Sequence, residues 1–139
     1  MNLLTLAVDD NISELLVKII EFTQTRQKTL IRNINNIHSP GFVPKELPVE
    51  EFSELLQDAI DEHARSRRLI LCDTETIKFG PNSSFKAGPI VDEYAQELLE
   101  EDLDEYMELQ INKILENSLN QRLAAELLKQ RQEAILTVL

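Results

Sequence analysis

The sequence predicts an all-α protein in which long N- and C-terminal helices pair as a helical hairpin or coiled coil, joined by a short middle helix and a small irregular or β segment. Three observations carry that prediction. Apolar residues recur at helical spacing towards both ends of the chain. No proline or glycine occurs between Pro89 and Leu139. The 139 residues hold only three glycines and no tryptophan, which argues against a loop-rich or β-sandwich fold. A chain of this length reads as one domain, residues 1–139. It divides into an N-terminal helix (1–38), a stretch of turn, short helix and connector (39–91), and a C-terminal helix (92–139).

The first helix is expected to open near Asp10 or Asn11, where Asn11 and Glu14 have the spacing of a capping box. Apolar residues follow at Leu15, Leu16, Ile19, Ile20, Phe22, Leu30, Ile31, Ile34 and Ile37. Residues 23–29 interrupt this face with about two turns of polar side chains. That gap weakens the helix as an independent unit.

The helix stops within residues 33–42. Asn33 and Asn36 lie three apart on one face of the last turn, where their amides can reach carbonyls that have lost their i+4 partners. Ser39 precedes a proline and is pushed out of the α region. Pro40 and Gly41 then suit the second and third positions of a type II turn, which delivers Phe42 to an apolar surface. Pro48 suits the first turn of a second helix through Phe52, Leu55, Leu56, Ala59 and Ile60.

Residues 69–72 and 76–79 have β character and are bounded by polar residues 73–75 and 80–84. They read as a small hairpin or an irregular loop. Cys72 follows Leu69, Ile70 and Leu71 and reads as a small buried hydrophobe that has no partner for a disulfide. The last helix starts after Pro89. Unbroken to Leu139, it would span roughly 70 Å, more than a domain of this size can bury. Leu103, Met107, Ile111, Leu115, Leu119, Leu123 and Leu127 recur every fourth residue, and Ile135 and Leu139 resume the row. Such a row drifts about 40° per step, so the stripe winds around the helix and one partner helix cannot cover it. Leu128, Ile135 and Val138 form a second column, consistent with several neighbours.

Charge narrows the function. A net charge of −11 leaves no basic surface for nucleic acid. The one basic cluster, Arg65, Arg67 and Arg68, reads as a solvated helix end. Residues 92–108 hold nine acidic residues and no basic one. Asp92 and Glu93 suit a helix N-terminus. Glu97, Glu101, Asp104, Glu105 and Glu108 repel one another, and form either a solvated face or a surface that meets a basic neighbour.

No membrane span, secretory signal, His/Cys metal spacing or phosphate-cradling glycine loop is visible. Composition alone therefore suggests a cytoplasmic protein. Residues 69–76 resemble the first motif of DEDD-type exonucleases, with Asp73 and Glu75 as paired carboxylates. That chemistry needs at least two further aspartates on later elements of a sheet, and the 64 residues after Glu75 are mostly one acidic helix. Asp73 and Glu75 thus read as turn residues. The chain is expected to be no enzyme, with no cofactor and no small-molecule substrate.

Residues 33–42 as a whole resemble the signature of the flagellar basal-body rod, hook and hook-associated proteins. Asn33, Ile34, Asn36, Ser39, Pro40, Gly41 and Phe42 match it, while Asn35 stands where alanine is usual and His38 where Asn or Asp is usual. Residues 26–30 look like the basic, polar turn that leads into the signature. Residues 116–128 are similar to the C-terminal helix of the proximal-rod members, and the short middle also resembles that branch. The family's Gly-Asn-x-Val-Asp approach to the last helix appears here only as Gly88-Pro89-Ile90-Val91-Asp92.

The resemblance implies a structural subunit of the proximal rod. It implies uncleaved export from the cytoplasm, with a signal in a flexible N-terminus, to the periplasmic rod of the flagellar basal body. Implied partners are copies of itself, other flagellar rod proteins and the flagellar export apparatus. Its assembly helices would use Leu15, Ile19, Phe22, Leu30, Ile34, Ile37, Leu115, Leu119, Leu123, Leu127, Leu128 and Ile135. The alternative reading is a cytoplasmic helical adaptor or a flagellar export chaperone that holds one partner with the same long helix.

Overall fold

A computed structural model describes the backbone of residues 3–80 and 85–138, and the side chains of 10–80 and 85–137. Helix α1 (Leu3–Asn35) and helix α4 (Leu103–Val138) run antiparallel along each other. Between them come strand β1 (Lys45–Glu46), helix α2 (Val49–Ser66), strands β2 (Ile77–Lys78), β3 (Lys86–Ala87) and β4 (Ile90–Val91), and helix α3 (Glu93–Glu101). The strands form two antiparallel pairs, β1 with β4 and β2 with β3. The expected all-α architecture, with paired long helices and a small β segment, is the one observed.

Helix α1 begins several residues before Asn11, so the expected capping box is not its start. The Asn11 amide instead donates to the Arg67 carbonyl at 3.2 Å and lies 3.5 Å from His63 Nδ1. It therefore closes the end of α2, where Arg67, the residue just after the helix, sits at φ +60°. Residues 1–2 lie outside those described, and so does any export signal carried there.

Pro48 caps α2 from just outside, with Glu50 and Glu51 in its first turn, where the helix dipole favours acids. Phe52, Ala59 and His63 face inward, while Ile60 is exposed. The aromatic core sits where α2, α1 and the β2–β3 pair meet. Phe22 stacks on Phe52 at 4.0 Å between ring centroids, and Phe79 and Phe85 pack around that pair. Leu47 and Ile77 complete this cluster. Lys18, almost wholly buried, donates from α1 to the Phe79 carbonyl at 3.3 Å, with Glu14 and Glu21 beside it.

The middle segment takes the irregular alternative at residues 69–72 and departs from expectation in two ways, in the partner of β2 and in the exposure of Cys72. Residues 69–72 form no strand, and β2 pairs with β3 instead. The reason is local: Asp73 accepts from the Phe79 amide at 2.9 Å and Thr74 brackets Ile77 on both sides, so the chain turns before residues 69–72 can pair. Cys72, without a strand to bury it, is exposed. The turn role expected for Asp73 holds, while residues 81–84 of the connecting loop lie outside those described.

The last helix is not continuous. Asp102 has an extended backbone, φ −150° and ψ 91°, and separates α3 from α4. Its amide donates to the Leu98 carbonyl at 2.7 Å and its carboxylate accepts from the Glu105 amide at 3.1 Å. One residue thus ends one helix and caps the next. The break folds α3 back so that Ala95 and Leu98 pack with Tyr106, against Ile37 at the end of α1.

Candidate assembly surface

At the end of α1 the turn residues take the expected positions. Asn36 donates from Nδ2 to the Arg32 carbonyl at 2.9 Å, and the Ser39 amide donates to the Asn36 carbonyl at 3.0 Å. Phe42 N donates to the Ser39 carbonyl at 3.2 Å, with Gly41 at φ +74° between them. Phe42 ends up half-buried. Nothing lies within 4 Å of where a Gly41 side chain would begin. Glycine is therefore favoured by the backbone angle and not by crowding.

Asn33 does something other than cap its helix. Its side chain donates to the Lys45 carbonyl at 2.8 Å and accepts from the Lys45 amide at 3.0 Å, as a neighbouring strand would. It also donates to Gln110 Oε1 at 3.0 Å, and its own carbonyl accepts from the Tyr106 hydroxyl at 2.6 Å. One asparagine, 2% exposed, thereby joins α1, β1 and α4.

The interior of the α1–α4 pair is largely polar. Asn117 donates to the Thr23 carbonyl at 2.7 Å and to Gln27 Oε1 at 2.9 Å. Arg26 grips Glu46 through two bonds of 3.0 and 3.1 Å, with Glu116 3.7 Å away. Lys113 lies 3.1 Å from Glu46 and 2.9 Å from Asp92. Asp92 uses its other oxygen to cap α3. Burial lowers the Lys113 pKa, yet hydrogen bonds and charge from Asp92 and Glu46 outweigh it, and the net shift is upward. Burial, with the Asp92 charge, pushes the Tyr106 phenol up to about 12.

The polar gap at 23–29 that was expected to weaken α1 is thus the stretch that seats it, with Thr23, Arg26 and Thr29 all buried. Sequence reasoning singled out no partner for it. The available signal was the seven-residue spacing of Gln110, Asn117, Ala124 and Arg131, a coiled-coil seam written in polar and small residues.

Because polar residues occupy much of the inside of α4, most of its leucines face out. Leu115, Leu119 and Leu123 are 57%, 64% and 60% exposed, and Leu103, Ile111, Leu127 and Leu136 are exposed as well. Leu128 and Ile135 are half-buried, while Leu139 and the Val138 side chain lie outside the described residues. The expected assembly residues of α1 behave differently. Leu15, Phe22 and Leu30 are buried within the chain, and Ile19, Ile34 and Ile37 are half-buried. The two ends of the expected assembly surface are therefore unequal, with α1 serving the fold and α4 presenting the open face.

Leu123 and Leu127 also border a groove of about 270 Å³, whose other walls include Leu16 and Ile19 of α1 and Val49 and Leu56 of α2. The acidic residues Glu97, Glu101, Asp104, Glu105 and Glu108 all face solvent, divided between α3 and α4 by the break at Asp102. Arg65, Arg67 and Arg68 are exposed at the end of α2, the solvated helix end expected of them.

Among the described residues, no three His, Cys, Asp or Glu side chains cluster as a metal site would require. No described helix is long and apolar enough to cross a membrane. Comparison with family models, with curated proteins and with solved structures returns no match to this chain.

Proposed function

We propose that this chain is a structural subunit of the bacterial flagellar basal-body rod, most like rod protein B of its proximal part. It is exported uncleaved, takes its place in the periplasmic rod and has no enzymatic role. Its partners are further copies of itself, other rod proteins and the export apparatus, and it needs no cofactor.

The supporting observation is the row of exposed leucines along α4, backed by a polar seam that already satisfies the helix on its inner side. Apolar surface on this scale, in one row, is surface to be covered by neighbours. The type of assembly is supported by the resemblance of residues 33–42 and 116–128 to the rod family. Burying the row in a helical wall offsets the entropy of ordering long helices.

Gly41 tests the reading. Valine there has to hold φ +74°, which costs about 1–2 kcal/mol, whereas asparagine tolerates that region. Cells lacking the native gene are expected to swim when supplied with the wild-type chain or Gly41→Asn, and to remain non-motile, without rods, when supplied with Gly41→Val. Full motility with Gly41→Val would overturn the proposal.

A further inference from the structure

We propose that the free chain forms an antiparallel homodimer through the outward face of α4, centred on Leu115. Glu108, Leu115 and Arg122 are spaced by seven residues, the repeat of a coiled-coil seam. Ile111 and Leu119 flank that seam. At 100° per residue all five lie within a strip about 80° wide, opposite the strip that carries Tyr106, Gln110, Asn117 and Ala124 against α1. All five are exposed. The strip is therefore apolar in its middle, acidic at one end and basic at the other.

That order selects one occupant and one direction. A second copy laid parallel and in register sets Glu108 against Glu108 and Arg122 against Arg122. Laid antiparallel about Leu115, it sets Glu108 against Arg122 twice, Ile111 against Leu119 twice, and Leu115 against itself. Charges arranged this way choose register and suppress the wrong pairing. The contact is isologous, so it closes at two copies.

Beyond it, Asp104 falls opposite Glu126, a like-signed pair that limits the contact to the segment from 108 to 122. A rod grows by head-to-tail contacts between subunits that all point one way. The antiparallel pair is therefore a form of the unassembled chain, and it stands or falls separately from the rod reading.

The experiment is sedimentation equilibrium on the full chain and its charge variants, joined to disulfide trapping in a Cys72→Ser background. The wild type is expected to be dimeric. Glu108→Arg and Arg122→Glu are each expected to raise the dissociation constant about tenfold, and the combined exchange to return it to within about threefold of wild type. Glu126→Lys is expected to tighten the dimer about threefold. These side chains are exposed, so the melting temperature of the monomer stays unchanged. Glu108→Cys mixed with Arg122→Cys should cross-link, and neither alone should. A monomer at about 100 µM, cross-linking of Glu108→Cys with itself, or open-ended oligomers that keep growing with concentration would each overturn the proposal.

Discussion

Tyr106 and Asn33 show how much of this fold rests on single polar atoms. The Tyr106 hydroxyl is wholly buried and donates to the Asn33 carbonyl, in a helix turn that has run out of backbone partners. Replacing it with phenylalanine leaves that carbonyl unsatisfied, and is expected to destabilise the chain by about 1–3 kcal/mol in urea unfolding. The same phenol gives a pH dependence with a definite sign. Its folded pKa, about 12, is above the unfolded value, so the folded chain holds the proton more tightly. The stabilisation is complete below about pH 10 and is lost as pH rises towards 12. Lys113, also raised, loses its contribution in the same direction. Stability should therefore fall by roughly 2–3 kcal/mol across that window in the wild type. Tyr106→Phe should show a shallower decline, and equal slopes would count against the assignment. The turn at Ser39–Phe42 was legible in sequence because proline and glycine have backbone consequences of their own. Asn33 was legible only as a polar residue near a helix end. Its true partners, Lys45 and Gln110, lie 12 and 77 residues away, and a local rule cannot reach them.

At the scale of elements, the helices were readable from periodicity, and so were the end of α1 and the start of α2, but the start of α1 and the break at Asp102 were not. Asp102 divides the C-terminal helix although no proline or glycine marks the place, because its own backbone is extended while its carboxylate caps the helix that follows. Asp102→Ala removes the cap of α4 and should lower stability by about 1 kcal/mol, as measured by thermal or urea unfolding. Asp102→Asn, which can still accept the Glu105 amide, should cost much less. The seam between α1 and α4 escaped notice for a related reason. The apolar stripe of α4 lies on its outer face, whereas the inner face repeats in Gln110, Asn117 and Ala124. The second half of α4 holds little of the core, with Ala124 the one buried hydrophobic residue between 119 and 137. Lys129 is exposed there, beyond the segment from 108 to 122. Limited trypsin treatment of the free chain should therefore cut α4 first at Lys129. Assembly should protect it, and resistance at Lys129 in the free chain would argue against an open C-terminal half of α4.

The whole molecule is built with its polar groups between the long helices and much of its C-terminal apolar surface outside. Arg26, Glu46, Lys113 and Asp92 tie α1 to α4 through β1 and the start of α3, and sliding one helix along the other would leave partly buried charges unpaired. What remains exposed, Leu103 and the row from Ile111 to Leu127, winds around the helix and asks for more than one neighbour, while Met107 packs against the cluster around Tyr106. An aromatic core between α1, α2 and the β2–β3 pair is closed within the chain itself. This division, a closed core and an open helix, is what the proposed subunit would need before it is assembled. The most direct test is mass spectrometry of hook–basal-body complexes purified from the organism that encodes the chain, after a wash that strips peripheral proteins. A rod subunit should be recovered there in amounts comparable to the other rod proteins. Its absence from those complexes, with the chain found in the cytosol, would contradict the account and favour a helical adaptor or export chaperone.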